Sequence, residues 1–546
     1  MQTSNSLWAR SMNRIFGGTM SSPGPTKGCQ DRRRKRRLVV ETLENRKVFA
    51  VDFDSAFGVG NAIGYSLPED VAVDAAGNSY LTGYFTGTTD FDPAKTHVGN
   101  TDILTARGGH DVFVAKYAPD NSLIWAKRMG GTAADLGAKI AIDGSGNVYV
   151  TGSFTGTGDF GSVNLTSTGL VDGYVCKLSE SGSTLWAKRW GAAGTNDTGF
   201  GVAVDANGNV YVAGQRNYQL YQNYGIEVFK FSPSGSTVWT KYVSTRSVNS
   251  GALDVDAAGS VVVAAKFNGT VDFDPGPRIR NVSSGASESM FVLKLTTKGD
   301  FSWVTPFTSL STSSLVTANS LALGGGGTII VGGQYDDSVD FDPSNGTTTL
   351  PTGGGGYITK LSNTGALVWA KSLESDKIAS VNGLAVDAFG SIYATGSFTG
   401  TVDLDPGAGT QTRTSVGSFD IFALKLGADG NFIWGTTIGG TGFDLGRGIA
   451  VNTAGTVYLA GAYKGTADFD PDPIKTYSLV NPGTFFNLYL AKLKQSGNAR
   501  LAAPTGPSAP TANPLTKTAL GTLDEQMAAW LPDLLESSDA RSKRRR

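Results

Sequence analysis

Histidine and cysteine are almost missing from this chain, which has two of each among its 546 residues. The sequence contains no His-Glu-x-x-His, Cys-x-x-Cys or Gly-x-Ser-x-Gly pattern and no phosphate-binding loop. His97 and His110 fall in the same part of the chain, and no nucleophile can be matched to them by sequence. These absences argue against the common zinc, serine and cysteine enzymes, so we expect a protein that is not an enzyme.

The two cysteines do not suggest a disulfide framework. Cys29 stands near the amino terminus, whereas Cys176 stands in an apolar segment at a position that holds Ala115, Leu293 or Ala423 in similar segments. A cysteine among such residues behaves as a small packing side chain. We therefore expect no disulfide between them. The cysteines do not indicate whether the protein belongs to an oxidising or a reducing compartment.

Charge is sparse and unevenly distributed. Charged residues make up 17% of the chain; residues 51–499 carry 28 basic and 39 acidic side chains, and residues 1–50 carry 11 and 3. An acidic body suits cations and disfavours binding to phosphate backbones, so no nucleic-acid partner is expected, although the basic ends keep that hypothesis open. No stretch of 18 apolar residues occurs, so no transmembrane helix is expected.

Glycine is abundant, with 73 residues, and it belongs to a repeated unit that is complete in residues 137–188. This unit has four apolar segments, at residues 140–143, 148–152, 173–178 and 184–188. Short glycine-containing joins link the first two segments and the last two, as in tight hairpins. We predict four antiparallel strands, which must be covered by neighbouring copies because so small a sheet cannot bury its own faces.

The repeats can be counted in two ways. The last residue of the first strand marks seven copies: Asp74, Asp143, Asp205, Asp256, Gly324, Asp387 and Asn452. A tryptophan in the fourth strand marks six copies: Trp125, Trp186, Trp239, Trp303, Trp369 and Trp434. Copy five is degenerate, since glycines occupy its first turn, and copy seven lacks the tryptophan. The strict register of the tryptophans favours packing over sugar stacking.

Seven units of this kind predict an all-β fold, a seven-bladed β-propeller of four-stranded antiparallel blades. Closing such sheets into a ring leaves few exposed strand edges; a right-handed solenoid is the alternative, but two-hairpin units suit blades better. Copy seven has three good strands, and an apolar alternation at residues 48–54 precedes copy one. We predict that this segment supplies the outer strand of the last blade and closes the ring.

The chain then divides into four regions. Residues 1–47 form a basic, disordered targeting segment, and residues 48–499 form the propeller. Residues 500–518 form a proline-rich linker. Residues 519–546 form a short amphipathic helix and a basic tail, in which Thr522 and Glu525 make a capping box. The helix either docks on the propeller or gives peripheral contact with a membrane or wall through its apolar stripe and basic tail.

The repeats resemble the bacterial β-propeller repeat family called SBBP. Three segments carry the resemblance: Val-Ala-Val-Asp-x-x-Gly-Asn-Val-Tyr-Val-x-Gly at residues 202–214, Asp-x-Phe-x-x-Lys-Leu at residues 420–426, and Gly-x-x-x-Trp. The resemblance covers roughly residues 60–495 and recurs in register. It implies a propeller and names no ligand, since a fold does not fix a function.

The amino-terminal segment resembles the Leu-Glu-Pro-Arg-type targeting motif of planctomycete surface and secreted proteins. A basic run at residues 32–37 precedes the matching residues, which are Glu41, Leu43, Glu44, Arg46, Val48, Phe49 and Ala50. Asn45 stands where proline is often found. The resemblance implies export, so we expect a secreted or cell-surface protein.

The most repeated polar motif is Asp-Phe-Asp-Pro, between the second and third strands. It occurs at residues 90–93, 272–275, 340–343 and 468–471, with a variant at 403–406 and a remnant at 159–161. Paired carboxylates are hard oxygen ligands of the kind that Ca²⁺ uses. The candidate calcium ligands are Asp90, Asp92, Asp272, Asp274, Asp340, Asp342, Asp403, Asp405, Asp468 and Asp470. The alternative is turn architecture, in which the aspartates cap the turn, phenylalanine packs and proline fixes the backbone.

We expect these Asp loops to share one face of the ring with the connections between blades. Those connections carry further acids, Asp135, Asp197 and Asp444. The sequence therefore predicts a binding or structural module for an extracellular protein or polysaccharide, with calcium as its one candidate cofactor. The alternative is an extracellular polysaccharide lyase or hydrolase that uses carboxylates at the central channel.

Overall fold

The computed structural model describes residues 50–60, 64–94, 102–218, 223–247, 251–312, 314–342 and 346–496. Within these residues the backbone forms seven four-stranded antiparallel sheets, with a few short added strands, which we number as blades 1 to 7 along the chain. The predicted targeting segment, linker and carboxy-terminal helix lie outside the described residues. In the described part, no helix has the length and hydropathy needed to cross a membrane.

Blades 1 to 4 each contain four strands in the order centre to rim. Blade 1 has Ser66–Val73, Ser79–Phe85, Asp111–Tyr117 and Leu123–Met129. Blade 2 has Leu136–Ile142, Val148–Phe154, Asp172–Leu178 and Thr184–Trp190. Blade 3 has Thr195–Val204, Val210–Tyr218, Asn223–Phe231 and Thr237–Val243. Blade 4 has Gly251–Val255, Val261–Phe267, Ser289–Leu295 and Phe301–Ser309.

Blades 5 to 7 follow the same order with two variations. Blade 5 has a first strand in two pieces: Leu315–Val316 and Ser320–Leu323, then Ile329–Asp336, Gly355–Leu361 and Leu367–Glu374. Blade 6 has Ile378–Val386, Ile392–Thr399, Asp420–Leu426 and Phe432–Gly440. Blade 7 has Leu445–Val451, Val457–Tyr463, Asn487–Ser496 and, as its outer strand, Ala50–Val59. The degenerate turn of copy five is a 3-10 turn at Gly325–Gly327.

The blades form a closed ring, because the first strand of each blade contacts the first strand of the next, and that of blade 7 contacts that of blade 1. The predicted seven-bladed propeller is confirmed, and the solenoid alternative is wrong. The connections from each fourth strand to the next first strand lie on one side of this ring, which we call the connection face. The opposite side, with the turns after each first and third strand, is the turn face.

The ring closes with a strand from the amino-terminal side. Ala50–Val59 pairs antiparallel with Asn487–Ser496, from Val51 opposite Gln495 to Val59 opposite Leu488. The predicted closing strand is confirmed for residues 50–54, and it extends five residues further than expected. Val48 and Phe49 lie outside the described residues.

The turns after the first strands explain the repeated Asp-x-x-Gly-Asn pattern. In blade 1, Asp74 Oδ1 accepts hydrogen bonds from the N–H groups of Ala76 and Asn78, both at 2.9 Å, and the hydroxyl of Tyr80 donates to Asp74 Oδ2 at 3.0 Å. Gly77 has φ +86°, a conformation that favours glycine. The same contacts recur at Asp143 and its neighbours. One short motif therefore fixes the turn in most blades.

The tryptophans join neighbouring blades. Trp125 Nε1 donates to the backbone oxygen of Glu180 in blade 2 at 2.9 Å, and Trp186 repeats this contact to Pro233 in blade 3 at 3.1 Å. Trp239 and Trp303 make the equivalent bonds to blades 4 and 5. The expected packing role is confirmed, and the packing occurs between blades.

The hydrophobic core lies between the blades. One cluster combines Tyr80 of blade 1 with Ile140 and Cys176 of blade 2, all of them buried. Cys176 is a packing residue as expected, and burial raises the pKa of its thiol to about 12. Cys29 lies outside the described residues.

Candidate functional site

Short hairpins carry the Asp-Phe-Asp-Pro motifs. In the described residues, blades 1, 2, 4, 6 and 7 each place a complete small hairpin between their second and third strands, and blade 5 has a shorter version. In blade 4, Asp272 Oδ1 accepts the N–H groups of Asp274 at 3.1 Å and Arg280 at 2.7 Å. The first aspartate therefore closes the hairpin. The bond to the second aspartate recurs at Asp90, Asp340, Asp403 and Asp468.

The apolar residue of each motif is fully buried. These residues are Phe91, Phe160, Phe273, Phe341, Leu404 and Phe469. The ring of Phe91 lies 5.5 Å from that of Phe85, at the end of the second strand, and 5.0 Å from that of Phe113, near the start of the third strand. Each hairpin is thus held against its own blade by apolar burial.

This packing folds the tips of the Asp loops from the connection face over the outer flank of the ring. The hydroxyl of Tyr117, the last residue of its strand, donates to the backbone oxygen of Phe91 at 2.9 Å. Thr184, which begins a fourth strand near the turn face, donates to the backbone oxygen of Phe160 at 2.6 Å. The hairpins therefore fold over the outer flank of the ring. As expected, the Asp loops start and end on the face that carries the blade connections, because each second strand ends there and each third strand begins there. The buried phenylalanine then draws the tip of the hairpin over the rim.

The hairpins also join neighbouring blades. Gly130, at the end of blade 1, forms a β-bridge with Asp159 in the hairpin of blade 2. The fourth strands of blades 4 and 6 pair in the same way with the hairpins of blades 5 and 7. The repeated motif thus belongs to the architecture that links blade to blade.

Calcium binding at these motifs stays a prediction. Carboxylates are suitable calcium ligands. In the blade 4 motif, however, Asp272 Oδ1 accepts the N–H of Asp274, and Asp274 Oδ1 accepts the N–H of Gly276 at 2.8 Å. One oxygen of each aspartate is therefore already hydrogen-bonded to the backbone. Among the described residues, no group of three or more His, Cys, Asp or Glu side chains is placed to hold a metal ion.

The acids of the blade connections are buried and tie blades together. The N–H of Asp135 donates to the backbone oxygen of His110 at 2.9 Å, and that of Asp444 donates to Phe419 at 2.8 Å. The carboxylate of Asp135 accepts the N–H of Gly131 at 2.6 Å. Burial raises the pKa of Asp135 to about 6 and that of Asp444 to about 7. Asp197 is also buried and bonds to Thr195.

A second row of buried acids begins the third strands, and sequence reasoning missed it. Asp111 pairs with Arg128 at 2.6 Å, and Asp172 pairs with Arg189 at 2.9 Å. Asp420 is the corresponding acid of blade 6. An arginine three residues after the strand tryptophan in copies one and two was the available signal.

Around the connection face, two groups of contacting aromatic rings, joined through the sequence neighbours Phe485 and Phe486, make up what we call the aromatic arc. Its seven members, from blade 1 through blade 7 to blade 6, are Tyr84, His110, Tyr65, Phe485, Phe486, Phe443 and Phe419. The ring centroids of contacting members lie between 5.2 and 6.4 Å apart. The arc therefore spans three blades at the point where the ring closes.

The arc presents apolar surface to solvent. Phe443 is 37% exposed, and Tyr65, Phe485 and Phe486 are half-buried. Before blades 2 and 3 the residues that correspond to Phe443 are Ala134 and Asn196, as the matching β-bridges show. The aromatic character is thus a property of one part of the face and not of the repeat.

His110 adds a polar group to the arc. Its ring is 7% exposed and lies 5.2 Å from that of Tyr65 and 5.6 Å from that of Tyr84. Burial lowers the pKa of His110, so the imidazole is neutral at pH 7. Its Nδ1 atom has no hydrogen-bond partner among the described residues. His97 lies outside them.

Sequence reasoning missed the arc. Its members are separated by up to 421 positions and occupy columns that are not aromatic in every copy. The available signal was the departure from the repeat, since Phe419 and Phe443 directly precede repeated aspartates where other copies have Val171 and Ala134.

The carboxylates near the central channel hold neighbouring blades. Asp70 accepts the backbone N–H of Ile140 at 3.2 Å, and Asp254 accepts that of Leu323 at 2.9 Å. Glu69 lies 3.9 Å from Arg447 of blade 7. These acids bridge first strands, which is a structural task.

Comparison with known proteins agrees with the architecture. The model of the SBBP family, described as a β-propeller repeat, matches residues 124–160 and 185–215. An uncharacterized WD repeat-containing protein, L264 of Acanthamoeba polyphaga mimivirus, is 22% identical over 508 residues, 75% of this chain and 35% of that protein. Regulatory protein FlaEY of Caulobacter vibrioides is 26% identical over 305 residues, 48% of this chain and 30% of that protein. The chain thus spans about a third of these curated relatives.

Solved structures give weaker likenesses. Sqt1 from Chaetomium thermophilum has a TM-score of 0.34 and 12% identity, covering 80% of this chain and 88% of its own. The gluconolactonase XC5397 from Xanthomonas campestris has a TM-score of 0.28 and 15% identity, covering 64% and 90%. Neither likeness bears on function.

With seven closed blades and two matches to the repeat model, the chain is a β-propeller repeat protein.

Proposed function

We propose that this protein is a non-catalytic binding module that holds a protein partner against the aromatic arc. The observation that carries the proposal is the clustering of seven aromatic side chains on the connection face, with Phe443 37% exposed. Aromatic residues are enriched at the centres of protein interfaces, where they supply much of the binding energy. The arc has the size and character of such a centre.

A protein partner fits this surface better than a polysaccharide. Four members of the arc are phenylalanines, whose rings have no polar edge to hydrogen-bond with sugar hydroxyls. His110 and the two tyrosines supply the polar contacts of a mixed interface. The relatives, one described as a WD repeat-containing protein and the other as a regulatory protein, also support a binding role.

The arrangement of the carboxylates supports a module without catalysis. Asp70 and Asp254 accept backbone N–H groups of the adjoining blades, and Glu69 lies beside Arg447. A polysaccharide lyase or hydrolase would need two of these acids to reach a substrate. Release of reducing or unsaturated sugars from polysaccharide, abolished by Glu69→Gln, would establish the enzyme instead.

The proposed location is the cell surface or the medium, and it rests on the amino-terminal motif. Cell fractionation tests it, using antibodies against the full chain. Recovery in the cytosol, with residues 1–47 still attached, would contradict export.

Photo-crosslinking tests the binding role. Benzoylphenylalanine replaces Phe443 in the full chain, which is then irradiated in an extract of surface and secreted material from the source cells. We expect a cross-linked protein that disappears with Phe486→Ala and persists with Phe389→Ala. Phe389 is 90% exposed and lies in blade 6 on the turn face, so it is the matched control. A protease-resistant adduct would indicate polysaccharide, and an adduct insensitive to Phe486→Ala would contradict the arc.

A further inference from the structure

Two buried carboxyl groups lie directly beneath one end of the aromatic arc. Asp420 and Asp444 follow Phe419 and Phe443 in the sequence, and they are 3% and 0% exposed. Asp420 Oδ2 accepts the N–H of Val416 at 2.9 Å, and Asp444 Oδ2 accepts that of Gly440 at 2.7 Å. Each acid is therefore fixed beside the aromatic residue that precedes it.

Blade 6 lacks the arginine that accompanies the corresponding acids elsewhere. In blades 1 and 2, Arg128 stands opposite Phe113 and Arg189 stands opposite Tyr174, and each arginine pairs with the acid that begins the third strand. In blade 6 the same register position, opposite Phe422, holds Thr437. The pair Asp420 and Asp444 thus has two acids where blades 1 and 2 have two acids and a cation.

Among the described residues, no cationic side chain forms an ion pair with Asp420 or Asp444. The titratable groups that interact with Asp444 are Asp420, Tyr463 and Tyr489, while Lys464 contributes its backbone N–H at 3.4 Å. Burial raises the pKa of Asp444 to about 7, and the charge of Asp420 adds to this shift. Burial also raises the pKa of Asp420. When two buried carboxyl groups interact and neither has a cation, the second ionises less readily, so the pair keeps one proton up to about neutral pH.

The same residues carry the contact between blades 6 and 7. The N–H of Asp444 donates to the backbone oxygen of Phe419 at 2.8 Å, and the two preceding rings stack with centroids 5.9 Å apart. Each acid directly follows one of the two stacked residues, so a second negative charge on the pair would arise next to this hydrogen bond and this stack.

We propose that Asp420 and Asp444 form a proton-controlled switch for the aromatic arc. With one proton on the pair, the contact between Asp444 N–H and Phe419 is kept and Phe443 stacks on Phe419, in the form that binds the partner. Loss of that proton to solvent separates the carboxylates and withdraws the ring, so binding weakens as pH rises through neutrality. This inference rests on the proposed function for its consequence, but the switch itself can be observed without a partner.

The switch is tested with 4-fluorophenylalanine at position 443 of the full chain, observed by ¹⁹F NMR between pH 5 and 8.5. We expect the resonance to titrate with a midpoint near neutrality. Asp444→Asn should hold it at the acid position, and Asp420→Asn should do the same if the first variant does not fold. Thr437→Arg transplants the arrangement of blades 1 and 2, and it should move the midpoint at least one unit lower. A resonance that does not titrate, or titrates equally in Thr437→Arg, would overturn the switch.

The consequence for binding is tested separately, with the benzoylphenylalanine cross-link at position 443. We expect at least threefold more adduct at pH 6 than at pH 8, and no such difference in Thr437→Arg. Equal adduct at both pH values, with a resonance that titrates, would overturn the regulation and leave the proposed function standing. A titrating resonance with no adduct at either pH would contradict the proposed function and leave the switch standing.

Discussion

Lys492 of blade 7 donates a hydrogen bond from Nζ to the backbone oxygen of Pro119 in blade 1, 2.7 Å away. Its ammonium group also lies 5.3 Å from the centroid of the Tyr458 ring. Lys360 makes the equivalent bond from blade 5 to Ala428 of blade 6, also at 2.7 Å. The junction between the last and first blades is therefore built from the same lysine contact as the other junctions, in addition to the closing strand.

The buried lysine gives the junction a measurable pH dependence. Burial lowers the pKa of Lys492 to about 8, below its ordinary value of 10.5, so the unfolded chain binds more protons between these values. Stability from this group rises as pH increases from about 8 to about 10.5, by up to about 3 kcal/mol. In urea unfolding, we expect the free energy of unfolding of wild type to rise relative to that of Lys492→Met over this pH range. Lys494→Met is the control, since Lys494 is mostly exposed; an equal response in both variants would contradict the assignment.

Removing the closing strand should destabilise the ring. Deletion of residues 48–56 exposes the edge of Asn487–Ser496 and removes part of the packing of blade 7. Exposed edges and lost apolar burial cost several kcal/mol, so we expect the melting temperature to fall on the order of 5–10 °C. Deletion of residues 1–45 alone should leave it unchanged. A calorimetric melting temperature that is the same in both deletions would show that the strand does not close the ring.

Glycines beside the tryptophans should resist substitution. Gly365 has φ +83°, and a Cβ there would lie 2.7 Å from the ring of Trp303 in the preceding blade. We expect Gly365→Ala to cost about 1–3 kcal/mol in urea unfolding, from backbone strain and from displacement of the ring. Gly144→Ala is the matched control, because Gly144 is in a turn and a Cβ there meets nothing within 4 Å. Equal losses would mean that the blade contact is not the cause.

The Asp motifs allow a direct choice between turn architecture and calcium. Asp272→Ala removes the acceptor of two backbone N–H groups, so we expect a loss of about 1–2 kcal/mol that is present in chelator. Calcium binding would add stability by mass action, seen as a rise in melting temperature with excess calcium that chelator reverses. Asp300→Ala is an exposed control. A loss confined to calcium-containing buffer would favour the metal over the turn.

Local periodicity explains why the ring could be predicted and the arc could not. The register of Asp74, Trp125 and their equivalents recurs within each copy, and it predicts strands, turns and blade number without long-range information. The position of a hairpin depends on which apolar side chains Phe91 and its equivalents contact. The alternation of residues along a strand does not carry that information. Phe443 and Tyr65 meet a common cluster only because the ring closes, so their relation leaves no period in the sequence.

The buried acids of the connections should make the protein less stable as pH rises toward neutrality. Burial raises the pKa of Asp444 to about 7 and that of Asp135 to about 6, above the ordinary value of 3.8. Between these values the folded chain binds more protons than the unfolded chain, so the stability from each group is full at low pH and is lost as pH rises through the folded pKa. Asp444→Asn keeps an uncharged acceptor for Gly440. We expect it to unfold like wild type below pH 3.8, where the carboxyl group is protonated in both states, and to be more stable at pH 8, by at most about 4 kcal/mol. Asp120→Asn is the control, because Asp120 is exposed.

Since Asp444 and Asp420 interact, the gain in stability from Asp444→Asn should shrink when Thr437→Arg supplies the cation that blade 6 lacks. Equal stability of Asp444→Asn and wild type at pH 8 would contradict this prediction. It would mean that the backbone N–H donors stabilise the ionised carboxylate by more than burial destabilises it.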